Sequence, residues 1–192
     1  MDFSFTEEQE ALRETARAFL AEHSGSEQVR SAMESEHGWD PAVWKQMAGE
    51  LGWTALAVPE PHGGLGLGDV ELVALLETMG EALLCSPFFA TVCLGANAVR
   101  VAGSEAQQAE WLPAIAAGEA RAPLAVAEDA GRWYADGVEA TVLREGDDYL
   151  LSGVKRHVVD GASADWLVVA ARALHTRGEP GLSLFVVPGD AP

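Results

Sequence analysis

Two stretches hold the residues whose types and spacing could do chemistry. Leu124-Ala-Val-Ala-Glu-Asp-Ala-Gly131 is an apolar run that ends in a small, acidic turn. About one hairpin later comes Leu151-Ser-Gly-Val-Lys-Arg-His-Val-Val-Asp-Gly161. Two such loops at the ends of neighbouring strands can cradle a flat cofactor. The chain has no HExxH, GxSxG, Walker loop or zinc-ligand spacing. Cys85 and Cys93 stand in apolar sequence and read as reduced core thiols. Of the five histidines, only His157 falls where a strand end meets a turn. Glu60-Pro-His-Gly-Gly-Leu-Gly-Leu-Gly68 lacks the spacing of a phosphate loop, so it reads as a tight connector in which backbones pass closely.

The elements that must position those loops change character near residue 120. Before it, apolar residues recur at helical spacing. Thr6 and Gln9 form a capping box behind Phe3 and Phe5, opening a helix with Leu12, Ala16, Phe19 and Leu20 on one face. Glu27 to Gly38 reads as a weak helix or a loop. Asp40 caps a second clear helix with Pro41 at its first position, and Trp39 can staple against Trp44. Asp69 is expected to cap a strong helix with Leu72, Val73, Leu76, Met79 and Leu83 as its apolar face. Phe88 to Val101 reads as a nearly all-apolar helix, and Ser104 with Gln107 as another capping box. Pro113 is expected to start a new short helix. After residue 120, strands are expected over 122–127, 138–144, 149–152, 158–159, 166–171 and 182–187. The set is small for a closed barrel, and the sheet reads as incomplete.

Composition narrows the partners. The 192 residues are 48% apolar, enough for a sizeable core. Twelve basic against thirty acidic side chains give a net charge of −18, which argues against nucleic acid or an anionic membrane. The first 120 residues hold 5 basic and 19 acidic side chains and the remainder 7 and 11, so a polyanionic ligand meets less repulsion in the second part. No apolar run approaches the roughly 18 residues of a membrane span, and no basic leader opens the chain. A cytoplasmic location is the expectation.

Several motifs, in order along the chain, resemble the acyl-CoA dehydrogenase family. They are Phe3-Ser-Phe-Thr-Glu-Glu-Gln-Glu-Ala-Leu-Arg13, Leu51-Gly-Trp53, Val58-Pro-Glu-Pro-His-Gly-Gly-Leu-Gly66, Gly103-Ser-Glu-Ala-Gln-Gln108 with Trp111-Leu-Pro113 and Gly118-Glu119, then Leu124–Glu128 and Gly146-Asp-Asp-Tyr-Leu-Leu-Ser-Gly-Val-Lys155. The resemblance implies an α+β chain of two domains: an all-α helical domain over 1–120, then an antiparallel β-barrel or sandwich domain over 121–192. The family's C-terminal four-helix bundle, which carries the catalytic glutamate in most members, has no counterpart here. No catalytic residue and no metal ligand is therefore assigned, and the chain alone is expected to be inactive.

The same resemblance implies FAD as cofactor and an acyl-CoA thioester as substrate. The reaction would be α,β-dehydrogenation with hydride passed to the flavin. Val126, Ala127 and Glu128 fall on the first flavin loop, where Ala127 replaces a threonine. His157, Val158 and Val159 fall on the second, with His157 in place of an aromatic and Val159 in place of a threonine. Phe88, Phe89 and Val92 are candidate acyl-chain lining, and Arg132 and Trp133 candidate substrate contacts. Arg132, Lys155 and Arg156 could meet the phosphates of CoA or FAD. Implied partners are an electron-transfer flavoprotein and a homo- or hetero-oligomer in which another chain supplies the helical bundle. The alternatives are a non-catalytic subunit supporting a flavin-bearing partner, or an acyl-CoA oxidase or flavin monooxygenase of the same fold.

Overall fold

A computed structural model describes residues 4–191; the expectation for Phe3 lies outside them. The chain divides into two compact units. One runs to Phe89 and takes in Ala109–Glu119; the other joins Ala90–Gln108 to everything from Ala120 onward. The division expected at residue 120 therefore runs differently, because the segment after Phe89 packs with the strands.

The helical unit opens on α1 (Glu7–His23), capped by Thr6. The Gln9 amide N–H donates to Thr6 Oγ1 at 3.2 Å and the Thr6 amide to Gln9 Oε1 at 3.0 Å, the reciprocal pair expected of this box. Charged residues do not prevent α2 (Ser26–Glu34) from forming. In α3 (Pro41–Gly49), Asp40 accepts the Ala42 amide and the Trp39 and Trp44 rings lie 6.2 Å apart. Trp44 Nε1 donates to Gly118 O at 2.8 Å and Thr54 Oγ1 to Ala116 O at 2.7 Å, stitching this region to the end of a later helix.

Two expectations for the next helix, α4 (Asp69–Glu81), are corrected. Gly68 is the N-cap, its amide taken by Glu71 Oε2 at 2.9 Å, and Asp69 is the first helical residue. The buried stripe is Ala74, Leu75, Thr78 and Met79, while Val73 and Leu83 are exposed. Small residues at 74 and 78 let α4 approach α1, where Gln9 Nε2 donates to Glu71 Oε1 at 2.7 Å. The glycine-rich connector behaves as a tight turn. Leu65, Gly66 and Leu67 donate to the carbonyls of Ala55, Val58 and Leu56, and a Cβ at Gly64 would strike the Val58 carbonyl.

The residues from Phe89 to Ala96 wind as a π-helix and continue into α5 (Asn97–Ala102). Gly95 lies so close to the Ala122 carbonyl that a Cβ would overlap it. Helix α6 (Glu105–Ala116) runs through Pro113 instead of starting there. Leu112 and Ile115 are fully buried in its last turns, and that burial outweighs one missing backbone bond.

The second unit holds one mixed sheet: β1 (Leu124–Ala125), β2 (Thr141–Glu145), β3 (Asp148–Ser152), β4 (Trp166–Ala173) and β5 (Leu182–Pro188). Strand β4 is its spine. One edge pairs antiparallel with β5, from Trp166↔Pro188 to Arg172↔Leu182. The other takes β1 in parallel at Val168 and Val169, then β2 in parallel at Arg172 and Ala173. Strands β2 and β3 form the expected hairpin. The expected helical-then-β chain is there, but the antiparallel barrel or sandwich is not: among the described residues the sheet is open and two of its four pairings are parallel. The strand expected at 158–159 is also absent. His157 and Asp160, both at positive φ, flank it and turn the chain out of extended geometry. No described helix is long and apolar enough to cross a membrane.

Candidate cofactor site

Strand β1 ends at Ala125, and Val126–Asp129 runs out beyond it beside the segment that follows β3. The Arg156 amide donates to Ala127 O at 2.8 Å, so the two loops are directly joined. Lys155 Nζ donates to Glu128 Oε1 at 2.7 Å and to Val126 O at 3.2 Å. Glu128 also accepts the Ala140 amide on Oε1 and the Glu139 amide on Oε2, each at 2.9 Å. Both members of this ion pair are about nine-tenths buried.

The amide N–H groups of Ala127, Glu128, His157, Val158 and Val159 find no acceptor among the described residues. Ala127 is only 2% exposed. Buried backbone donors are nearly always paired in folded proteins, so the unpaired amides of Ala127 and Glu128, 2% and 7% exposed, mark a place for an acceptor from outside the chain, and the amides of the second run lie open beside them. His157, at φ 53, and Val159 are exposed, and Val158 is half-buried. A flat ring edged with carbonyl oxygens and ring nitrogens fits such donors. Side-chain hydroxyls are missing at both Ala127 and Val159.

The other sequence candidates are placed less simply. Phe88 and Phe89 border a hollow of about 240 Å³ in the helical unit, with Leu76, Met79 and Leu83. Phe88 is 1% exposed and Val92, which is absent from that lining, 3%, so both act as core. Arg132 and Trp133 are exposed; the Arg132 guanidinium stands 5.8 Å from the Tyr134 ring. Lys155 is not open to a phosphate, because its ammonium is committed to Glu128 and Val126. Arg156 is held at the surface by Asp129 Oδ1 at 2.7 Å. Among the described residues no group of three or more His, Cys, Asp or Glu is arranged to hold a metal ion.

Sequence reasoning missed two anchors of the site. Arg121 reaches Asp165 with its amide, Nε and Nη2, all at 2.8 Å, fixing the approach to β1 beside β4. Arg172, 6% exposed, donates to the carbonyls of Val138, Ala135 and Gly178 and holds the segment after Trp133. An arginine inside an otherwise apolar strand was the available signal.

Burial pushes the Glu128 carboxyl up, but the Lys155 ammonium and the amides of Ala140 and Glu139 outweigh it and hold the group below the usual range. Asp165 is likewise raised by burial and brought lower by Arg121. A folded-state value below the unfolded one means stability present above about pH 4 and lost as pH falls through the lowered value. The urea midpoint is therefore expected to fall on acidification, and the gap between the native chain and Glu128→Gln to narrow with it. A gap constant between about pH 6 and pH 3 would show that Glu128 is not held in its charged form.

The family model described as "Acyl-CoA dehydrogenase, N-terminal domain" matches residues 6–119. The probable acyl-CoA dehydrogenase fadE25 of Mycobacterium leprae is 29% identical over 137 residues, which are 71% of this chain and 35% of that protein. FadE12 of Mycobacterium tuberculosis is 30% identical over 139 residues, 70% of this chain and 35% of that one. Among solved structures, a variant of the Tcur3481–Tcur3483 steroid ACAD superposes with a TM-score of 0.84 at 32% identity, over 97% of this chain and 49% of that one. The ChsE4–ChsE5 complex from Mycobacterium tuberculosis gives 0.86 at 26%, over 100% and 50%. PigA with FAD and proline shares the fold, with a TM-score of 0.84 at 22% identity. The chain thus spans about half of these solved chains and about a third of the curated relatives it matches.

Proposed function

The chain belongs to the acyl-CoA dehydrogenase family, and from that premise we propose that it forms the flavin-facing wall of an acyl-CoA dehydrogenase. The reaction is α,β-dehydrogenation of an acyl-CoA thioester, with FAD as hydride acceptor and the α-proton removed by a base that lies outside these 192 residues. One observation carries the reading: unpaired amide donors at Ala127–Glu128 and His157–Val159 stand on two loops joined by the Arg156–Ala127 hydrogen bond. Bound FAD supplies the redox chemistry. The chain's own residues offer it hydrogen bonds and the exposed imidazole of His157 a face to stack on. A ring-bearing acyl group is the first substrate to try, since the Tcur3481–Tcur3483 protein is a steroid ACAD.

The missing hydroxyls at 127 and 159 set the expected affinity. A neutral hydrogen bond contributes about 1 kcal/mol net, roughly a fivefold change in affinity. Val159 is exposed and threonine is its isostere, so Val159→Thr should tighten FAD roughly fivefold in a fluorescence titration. An affinity unmoved by this change, or a native chain that does not quench flavin fluorescence at all, would count against the two-loop flavin site.

A second reading is favoured by Ala127 itself, buried and without a hydroxyl, and by two-chain assemblies among the similar structures. In it the chain is a supporting subunit of a heteromer and a partner carries the working flavin. Co-purification with a second, yellow chain, while this chain alone stays colourless, would select that reading over the first.

A further inference from the structure

The Glu128 carboxylate and the Lys155 ammonium are buried together and bonded to each other and to the backbone around them. Three donors converge on Glu128: the amides of Glu139 and Ala140 and the Lys155 ammonium. Lys155 divides its protons between Glu128 and Val126 O. The partners belong to three stretches separated in sequence: 126–128, 139–140 and 155. The Arg156–Ala127 bond lies next to this node and depends on where the chain at 155 is held.

We propose that Glu128 and Lys155 are positioning residues that hold the two rows of unpaired amides in register, so that the cofactor is bound by backbone donors whose spacing this one ion pair sets. The proposal rests on the flavin reading above. The neighbouring Arg156–Asp129 pair is a useful contrast. It joins the same two loops, but its side chains are 55% and 84% exposed, and an exposed pair contributes little. Register is therefore set by the buried pair and not by the surface one.

The arrangement makes an asymmetric prediction. Lys155→Met leaves Glu128 with its two amide bonds to 139–140 but releases the 155–156 chain. Amide hydrogen exchange at Arg156 should then speed up at least tenfold while Ala140 stays protected. Glu128→Gln loses the charge that both partners answer and should speed exchange at Arg156 and Ala140 together. Lys155→Arg keeps the charge and should restore most of the Arg156 protection, and Arg156→Ala should leave Ala140 unchanged. FAD affinity should follow Arg156 exchange, about tenfold weaker in Lys155→Met and recovered in Lys155→Arg.

Equal acceleration at every amide of the sheet in Lys155→Met would reduce the pair to general stabilisation and overturn the proposal. So would unchanged exchange at Arg156, or FAD affinity that ignores it. If Lys155→Met fails to fold, Lys155→Arg decides: native-like exchange with native-like flavin affinity supports the pair, and native-like exchange with lost affinity overturns it. A native chain that binds no flavin defeats the cofactor reading instead, and the contrast between Arg156 and Ala140 then decides the register claim on its own.

Discussion

Gly95→Ala lowers the stability of the sheet unit by about 3 kcal/mol, although alanine is the better helix former. Two effects oppose each other. In an ordinary helix interior the change gains up to about 1 kcal/mol. At Gly95 the added methyl falls inside the Ala122 carbonyl, a backbone atom that no rotamer change can move aside, and overpacking of this kind costs about 1–3 kcal/mol or more. The steric term wins. Because Ala122 leads directly into β1, relief requires moving either the π-helix or the strand whose end carries Val126–Glu128. A fall in the thermal midpoint of about 6–12 °C is expected for a chain of this size, together with weaker flavin binding. A midpoint at or above that of the native chain would mean that the π-helix and Ala122 are not packed as described.

How much of this was legible in the sequence depended on how far apart the interacting residues lie. Thr6 and Gln9, or Asp40 and Pro41, signal a helix start within four residues, and those starts are where the pattern put them. The β2–β3 hairpin is equally local. Pro113 misled because a local rule met a non-local fact: Leu112 and Ile115 are fully buried and Ala116 O accepts from Thr54, 62 residues away, and these interactions keep α6 continuous. The parallel pairing of β1 and β2 with β4 joins residues about thirty to forty-five positions apart, and nothing in strand composition distinguishes it from an antiparallel meander. The two site loops were visible as sequence because each ends an apolar run in small polar residues. The roles of Glu128 and Lys155 were not. Both were read as ligand contacts, and the partners of their side chains, at 139–140 and 27 residues away at each other's positions, are set only by the fold.

Arg172→Lys is expected to destabilise the sheet unit nearly as much as Arg172→Met, by about 3 kcal/mol. Arg172 is buried, and no carboxylate pairs with it among the described residues. Its guanidinium instead spans three carbonyls: Val138 O from Nε, and Ala135 O and Gly178 O from Nη2, with Thr176 Oγ1 at the 3.5 Å limit from Nη1. If the positive charge were what mattered, lysine would preserve most of the stability. The geometry says otherwise, because a single ammonium cannot place donors where a planar fork does. Bonds from a charged donor contribute about 1.5–3 kcal/mol each, and abandoned buried carbonyls add a penalty of their own. The loop from Gly131 to Gly137 is held at Ala135 O by this arginine, so its release has a second readout. Trypsin should cut after the exposed Arg132 several-fold faster in Arg172→Lys than in the native chain. Equal cutting rates and an unchanged urea midpoint would show that the charge, and not the fork, holds the loop that carries Arg132 and Trp133.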